Sequence, residues 1–240
     1  MFRRLREYFK FLESLFKTNI KLLWGMWRLT KLPHPAITIF GGSRISPDSM
    51  HAQQASELAR ILASHGFSII TGGGPGIMEA ANLGAIEFLR SCKVTDGAKK
   101  CPVFVSAGIS LIRLNKEMAN PYVQENIVLN HFFARKWLLV RYSVGFVIFP
   151  GGFGTLDELF EIVTLVQCNR MAKVPIILIN KEYWAPLIDW IYSRALPNGL
   201  ITAGDENIIA VTDDIQDAAE RIRRYCIDCD QSVSYDPSKK

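Results

Sequence analysis

Cysteine and histidine are scarce in this 240-residue chain, and neither is arranged in a recognisable site. The five cysteines are an odd number scattered among apolar segments. This argues against the disulfide framework of a secreted protein and predicts a reducing, cytoplasmic location. The four histidines do not cluster with cysteines, so no metal site is predicted. The length suits one α/β domain with a sizeable core.

Sequence motifs of several common enzyme classes are also missing. The stretches GGSRIS and GGGPGI miss the G-x-G-x-x-G spacing of a dinucleotide site. The chain contains no G-x-x-x-x-G-K-[ST] phosphate loop and no G-x-S-x-G nucleophile turn. No lysine stands in a context that indicates a pyridoxal-phosphate Schiff base. The sequence therefore predicts no cofactor.

The positive charge is concentrated at the N-terminus. Residues 1–31 contain eight Lys or Arg and two Asp or Glu, a balance of +6, and the remainder contains 20 and 21, a balance of −1; the sum is the net charge of +5. The nearly neutral body argues against nucleic-acid binding, which needs a broad basic surface. We divide the chain into a basic arm (1–34), a main domain (35–230) and a polar tail (231–240).

The arm has the pattern of an amphipathic helix, with apolar residues at helical spacing from Phe2 through Leu5, Phe9 and Leu12. Charged residues interrupt the arm before any apolar run reaches the length of a membrane span, and no secretory cleavage site is recognisable. Two interpretations remain open. The arm is either a helix packed on its own domain or on a dimer partner, or residues 1–31 form a peripheral membrane helix.

From residue 36 onward, apolar runs alternate with helical patterns. The predicted strands are AITIFGG, FSIITGGG, PVFVSAGI, NIVLN, VGFVIF, VPIILIN and NIIAVT. Helices are predicted over 48–65, 75–89, 131–142, 156–168, 183–195 and 213–226. This alternation predicts an α/β fold: a Rossmann-like doubly wound parallel sheet with an extra N-terminal amphipathic helix, and ligands at the carboxyl ends of the strands. Three glycine clusters fall at such ends: Gly41–Gly42, Gly72–Gly76 and Gly151–Gly154.

The stretch VIFPGGFGTLDELFE, residues 147–161, joins a buried strand to a helix through a glycine turn. Its apolar run ends at Pro150, and Leu156, Leu159 and Phe160 then recur at helical spacing. A strand, a glycine turn and a helix N-terminus present bare N–H groups and the positive end of the helix dipole to an anion. The sequence therefore predicts a phosphate site here.

Three sequence blocks resemble one known family. The blocks GGGPGIMEAAN (72–82) and PGGFGTLDE (150–158), with the pair Arg135-Lys136, are similar to the signatures of the LOG family. These are cytokinin riboside 5′-monophosphate phosphoribohydrolases and related bacterial nucleotide nucleosidases. The resemblance extends over roughly residues 36–225. It implies a Rossmann-like homodimer that cleaves the N-glycosidic bond of a nucleoside 5′-monophosphate, giving free base and ribose 5-phosphate.

The resemblance and the residue chemistry together assign the site. Glu158 and Arg135 are the predicted catalytic residues: the carboxylate would stabilise an oxocarbenium-like ribose, hold its hydroxyls or orient water, and the guanidinium would position phosphate or base. The predicted phosphate contacts are Gly151, Gly152, Gly154 and Thr155. The other predicted nucleotide-binding residues are Gly42, Ser43, Gly73, Gly74, Glu79, Asn82 and Lys136.

Each assignment has a structural alternative. Thr155 and Glu158 also fit a capping box, in which the carboxylate accepts from the Thr155 N–H. Arg135 and Lys136 fit a solvated helix face, and Glu79 can favour its helix dipole. The glycines of 72–74 can serve tight strand–helix packing.

Two expectations concern assembly and function. Apolar residues on more than one face of the helices beside the fifth strand predict a homodimer. The competing function is a protein that binds or carries a nucleotide or a nucleotide-derived cofactor without cleaving it.

Overall fold

The protein is described here by a computed structural model that covers residues 2–32, 35–95, 101–102, 104–111 and 119–229. The predicted arm boundary at residue 34 and the predicted tail, 231–240, lie outside these residues. The described strands are β1 (Ala36–Phe40), β2 (Ser68–Thr71), β3 (Ser106–Leu111), β4 (Glu125–Leu129), β5 (Ser143–Ile148), β6 (Ile176–Ile179) and β7 (Ala210–Thr212).

Helices alternate with these strands. They are α1 (Phe2–Leu29), α2 (Met50–Ser64), α3 (Ile77–Thr95), α4 (Phe132–Arg141), α5 (Phe153–Gln167), α6 (Lys181–Trp190) and α7 (Ile215–Cys229). A π-helical turn, Ile191–Ala195, extends α6, and a 3₁₀ turn, Asp205–Ile208, precedes β7. The prediction of one helix over 183–195 was therefore wrong in its geometry, and the prediction of a strand over NIIAVT was too long at its beginning.

All strands pair in parallel, in the order β4-β3-β2-β1-β5-β6-β7. The direction of winding reverses between β1 and β5, where Phe40 pairs with Ile148. Ligands of open parallel sheets bind in the crevice at such a reversal, outside the carboxyl ends of the strands. The predicted doubly wound α/β fold is confirmed.

Two apolar cores lie on opposite faces of the sheet. Ile37 and Ile39 of β1 face α2, α3 and α7, and Phe40 and Phe146 face the side that α4, α5 and α6 cover. Buried strands with apolar residues on both faces give the nearly continuous hydrophobic runs seen in the sequence. Both cores end at the carboxyl edge of the sheet, where the glycine turns begin.

Helix α5 begins earlier than its hydrophobic pattern indicates. The sequence predicted a start at Leu156, whereas the helix begins at Phe153 with Gly152 as its N-cap. The two glycines of the Gly-Phe-Gly segment have weak helix propensity, so the apolar pattern alone placed the boundary one turn late.

Helix α1 packs on the domain from Ser14 onward. Ser14 Oγ lies 2.9 Å from His131 Nε2, and Lys21 Nζ donates to Asn130 Oδ1 at 2.8 Å. Arg28 forms an ion pair with Glu125 of β4. Residues 4–13 are exposed throughout. The packed-helix interpretation of the arm therefore describes the helix from Ser14 to its end at Leu29.

Two of the cysteines are joined. A disulfide links Cys92, in the last turns of α3, to Cys101, ahead of β3. The positions of the cysteines in the sequence gave no signal of this pairing, because connectivity depends on which segments the fold brings together. It is one local bridge between an adjacent helix and strand.

Candidate active site

A cleft of about 420 Å³ opens at the carboxyl edge of the sheet, at the reversal between β1 and β5. All three glycine clusters, which the sequence analysis assigned to the carboxyl ends of strands, contribute to its lining. The lining residues are Phe40, Gly41, Gly42, Ser43, Arg44, Gly72, Gly73, Gly74, Met78, Ser110, Leu111, Ala119, Arg135, Gly152, Phe153, Gly154, Thr155 and Glu158.

The first turn of α5 lines this cleft with Gly152, Phe153, Gly154 and Thr155. A Cβ added to Gly152 or Gly154 would meet no atom within 4 Å, so the protein's own packing does not require glycine at either position. Among the described residues, no carbonyl accepts a hydrogen bond from the N–H groups of Gly152, Phe153 or Gly154. The glycines leave accessible N–H donors at the positive end of a helix dipole, which is the arrangement that binds an anion.

The turn before α5 is held in place by neighbouring elements. Gly42 N–H donates to Pro150 O at 2.9 Å, which joins the ends of β1 and β5. The Tyr183 hydroxyl of α6 donates to Gly151 O at 2.5 Å. A Cβ at Gly151 would lie 2.1 Å from Thr155 Oγ1, so this glycine permits a close approach within the turn. Gly151 and Gly42 therefore shape the site, and the Gly42 N–H is already occupied.

The two predicted catalytic side chains meet inside the cleft. Arg135 Nη1 lies 3.7 Å from Glu158 Oε1, and the Arg135 Nε donates to Ile109 O at 2.9 Å. A Cβ at Gly72 would lie 2.3 Å from Arg135 Nη2, so the absence of a side chain at Gly72 leaves the guanidinium its place. These contacts join α4, α5, β2 and β3 at one point.

Glu158 is buried, at 5 % exposed, and its carboxylate is incompletely satisfied. Its Oε2 has no hydrogen-bond partner among the described residues. Burial raises the pKa of the Glu158 carboxyl to about 7, although the charges of Arg135 and Lys136 oppose the shift. A buried carboxyl with an unused oxygen in a cleft and a pKa near neutrality is a candidate for acid–base or electrostatic catalysis.

The capping-box alternative for Glu158 is wrong. Because α5 begins at Phe153, Thr155 occupies the third helical position and its N–H donates to Gly152 O at 3.0 Å. Glu158 lies three residues further into the helix and caps no N–H group among the described residues. Thr155 itself is buried and lines the cleft, with its N–H already used.

Lys136 is absent from the described lining of the cleft. Its Nζ contacts Asp157 Oδ2 at 2.8 Å and Glu161 Oε2 at 3.1 Å, so it ties α4 to α5. Burial alone would lower the pKa of Lys136, but hydrogen bonds with Asp157 and Glu161 raise it above its ordinary value. The structure therefore separates the adjacent Arg135 and Lys136: the first faces the cleft, and the second forms an interhelical ion-pair cluster.

Asn82 stabilises the glycine turn after β2 through buried hydrogen bonds. Its Oδ1 accepts from Thr71 Oγ1 at 2.7 Å and from Asn120 Nδ2 at 3.0 Å, and its Nδ2 donates to Ser106 Oγ at 2.8 Å. Asn120 in turn donates to Gly74 O at 2.9 Å, which fixes the glycine turn after β2. Asn82 is fully buried, so its geometry is that of a structural hub beneath the nucleotide-binding positions predicted at Gly73 and Gly74.

Two other predicted nucleotide-binding residues, Ser43 and Glu79, differ in whether they line the cleft. Ser43 lines the cleft and is exposed to it. Glu79 lies in the first turn of α3 and is absent from the described lining, as the helix-dipole alternative expects.

Several lining residues were missed by the sequence analysis, among them Arg44, Met78 and Phe153. Arg44 follows the first glycine pair directly, and a basic residue at that position of a phosphate site could have been noticed. Met78 and Phe153 contribute apolar surface, and the Phe153 side chain is 92 % exposed on the first turn of α5. Exposure of an aromatic at a turn cannot be read from a single sequence.

Within the described ranges, no group of three or more His, Cys, Asp or Glu side chains could hold a metal ion. Among the described lining residues, the cationic side chains are Arg44 and Arg135, and the N-terminus of α5 adds the positive end of its dipole.

Known proteins share this arrangement of elements. The molybdenum cofactor carrier protein of Chlamydomonas reinhardtii matches 81 % of this chain and 99 % of its own, with a TM-score of 0.56 at 19 % identity. A likeness at that identity concerns the fold.

Curated relatives extend the comparison to sequence. A cytokinin riboside 5′-monophosphate phosphoribohydrolase of Rhodococcoides fascians is 26 % identical over 188 residues, 78 % of this chain and 89 % of the relative. One from Arabidopsis thaliana is 28 % identical over 200 residues, 82 % of this chain and 86 % of the relative. The family model described as "Possible lysine decarboxylase" matches residues 78–222, more than half of the chain. The chain thus belongs to that family, the LOG family, whose signature blocks border the cleft.

Proposed function

We propose that this protein is a nucleoside 5′-monophosphate phosphoribohydrolase. It cleaves the bond between the base and C1′ of the ribose and releases free base and ribose 5-phosphate. The observation that carries the proposal is Glu158, a buried carboxylate with an unused oxygen, beside an open anion-binding helix N-terminus. The names of the relatives from Rhodococcoides fascians and Arabidopsis thaliana support this substrate class.

The phosphate binds at the first turn of α5 in this proposal. The N–H groups of Phe153 and Gly154 supply donors without a metal ion, and Arg44 adds a positive charge at the mouth of the cleft. Glu158 follows Gly154 by four residues, a rise of about 6 Å along the helix. This is comparable with the span from phosphorus to C1′ in a ribose 5-phosphate. The helix thus holds the phosphate at one end and places a carboxylate near the reacting carbon.

Glu158 acts on the charge that develops at C1′. As the C1′–N bond breaks, its electron pair leaves with the base and the ribose becomes oxocarbenium-like. The carboxylate stabilises this cation and accepts a proton from the water that attacks C1′. That water supplies the new C1′ oxygen and, in net, the proton that the departing base gains. The balance is one nucleotide and one water to one base and one ribose 5-phosphate.

The charge of Arg135 favours the ionised form of Glu158, which the mechanism needs at neutral pH. Its guanidinium is 3.7 Å from the carboxylate, and this charge opposes the effect of burial on the Glu158 pKa. Burial lowers the pKa of Arg135 itself. A buried guanidinium held by Ile109 O is well placed to contact an anionic or hydroxylated substrate group as well.

The proposed enzyme is a homodimer. Ile162 and Val166 of α5 are buried in this chain's own core, so they leave little surface for a partner. Phe132, Phe133 and Trp137 of α4 remain 39–53 % exposed and supply the apolar surface that favours a second subunit.

The test is release of free base from a panel of AMP, CMP, GMP, IMP, UMP and isopentenyladenosine monophosphate, measured by chromatography with purified protein. We expect at least one nucleotide to yield base and ribose 5-phosphate in equal amounts, and Glu158→Gln to lose that activity. Binding of these nucleotides without any release of base would overturn the proposal in favour of a nucleotide carrier.

A further inference from the structure

One face of α1 carries a continuous apolar stripe that the domain does not cover. The stripe comprises Leu5, Phe9, Leu12, Phe16, Ile20, Leu23 and Trp27, which we call the α1 stripe. Its members follow each other by three or four residues, so they share one side of the helix along its whole length. Each is between 38 % and 67 % exposed. Seven large apolar side chains in a row form a surface that a protein rarely leaves to water.

The domain already occupies the opposite face of the helix. Thr18 and Leu29 are buried, and a Cβ at Gly25 would lie 2.9 Å from Leu138 of α4. On a helical wheel these three positions lie about half a turn from the α1 stripe. The packing of α1 on β4 and α4 therefore fixes the helix with its apolar stripe turned outward.

Basic residues follow one border of the stripe. Arg6, Lys10 and Lys17 are spaced by four and seven residues, which aligns them on one flank of the helix. Glu13 lies on the same flank and pairs with Lys17 at 2.5 Å. At the end of the helix, Lys31 Nζ lies 3.4 Å from the centre of the Trp27 ring. An apolar face with a basic border and a terminal tryptophan is the pattern of a helix that lies in the plane of a membrane surface.

We propose that the α1 stripe docks this protein on an anionic lipid surface. Charge complementarity selects this occupant. Residues 1–31 carry a balance of +6, so pairing two arms would bring like charges together, whereas an anionic bilayer attracts each of them. The remainder of the chain has a charge balance of −1, so it neither adds to this attraction nor opposes it strongly. None of the described helices is long and apolar enough to cross a membrane, so α1 lies on the surface rather than through it.

The test is co-sedimentation of the full chain with vesicles of phosphatidylcholine alone and of phosphatidylcholine mixed with phosphatidylglycerol. We expect binding to the anionic vesicles, weaker at high salt because the charges are screened. The variant Phe9→Gln, Phe16→Gln, Leu23→Gln should bind about tenfold less or weaker still, because three large apolar side chains no longer enter the lipid. A shift of tryptophan fluorescence to shorter wavelength on binding gives a second readout.

A matched control removes the same number of exposed apolar side chains from the body. The variant Met50→Gln, Leu200→Gln, Ile227→Gln changes residues that are at least 51 % exposed and lie outside α1. It should bind vesicles as the unmodified chain does. Equal losses in both variants would contradict the proposal, as would failure of the full chain to bind anionic vesicles at low salt. Conversion of a dimer to a monomer by the α1 variant, without vesicle binding by the parent, would make a second copy the occupant.

Discussion

Arg135 Nη1 and Glu158 Oε1 lie 3.7 Å apart in the cleft, close enough for charge attraction and too far for a strong hydrogen bond. Each side chain has a second restraint: Arg135 donates to Ile109 O, and Glu158 lies on the face of α5 that also carries the buried Thr155 and Leu159. The two charged groups are therefore further apart than a hydrogen bond allows, and Glu158 Oε2 has no hydrogen-bond partner among the described residues. A closed structural ion pair would instead have its charged groups in hydrogen-bond contact.

The first prediction concerns the charge of Glu158. Glu158→Gln keeps the size of the side chain and removes the negative charge that faces the developing cation. Loss of one such electrostatic partner reduces turnover by about 10²–10³ in other enzymes, and we expect a similar drop in kcat with AMP. The control is Glu161→Gln on the same helix, whose carboxylate pairs with Lys136 outside the described cleft. Near-native kcat for Glu158→Gln, or an equal drop for Glu161→Gln, would remove Glu158 from the mechanism.

The second prediction is the pH dependence of catalysis. The pKa of Glu158 is raised to about 7 by burial, and the mechanism needs the ionised carboxylate. The value of kcat/KM should therefore rise with pH and level off above about 7, since this profile reports the free enzyme. A profile that is flat from about pH 5 upward, as for an ordinary glutamate, would contradict the proposed environment of this carboxyl.

The third prediction is that ionisation of Glu158 lowers stability as the pH rises from about 4.5 to about 7. Its folded-state pKa, about 7, lies above the ordinary 4.5 of the unfolded chain, so the unfolded state loses the proton first and stability falls between those two values. Glu158→Gln cannot ionise. Near pH 8 the variant should unfold at a higher urea concentration than the parent, with a free energy of unfolding larger by about 1–3 kcal/mol. Near pH 4.5 the two proteins should differ little in stability. A variant that is less stable than the parent near pH 8 would show that the carboxylate contributes net favourable contacts.

The fold was predictable because its signals are local. Strands buried on both faces, such as VGFVIF, read as uniform apolar runs, and glycine clusters at their ends indicated the binding edge. Glu158 and Arg135 were also within reach, because the resemblance to a known family singled out their blocks. The start of α5 could not be predicted from the sequence, because the turn before it is held by Gly42 and Tyr183, which are distant in sequence.

The different roles of neighbouring or similar residues were less predictable. Lys136 follows Arg135 directly, yet only the fold shows that it contacts Asp157 and Glu161 while Arg135 faces the cleft. Asn82 lies in a signature block, but its partner Asn120 is 38 residues away. Contacts of this kind depend on tertiary packing, for which a single sequence has no periodic signal.

The fourth prediction follows from the hydrogen bonds of Asn82. Asn82→Ala removes the acceptor of the buried Thr71 hydroxyl and a donor to Ser106 Oγ, and it should lower the free energy of unfolding by about 2–3 kcal/mol. The control is Asn126→Ala on β4, an exposed residue that accepts from Ser110 and should cost less than about 0.5 kcal/mol. Unchanged stability with weakened nucleotide binding would instead make Asn82 a direct ligand of the substrate.

The central claim is that the α5 N-terminus binds a 5′-phosphate and so places the ribose against Glu158. The most direct measurement compares release of adenine from AMP and from adenosine at the same concentrations of enzyme and substrate. Because phosphate binding positions the reacting carbon, AMP should yield adenine and ribose 5-phosphate, and adenosine should react slower by about a hundredfold or more. Equal rates for the two substrates, or no adenine from AMP under conditions where AMP binds, would contradict the account.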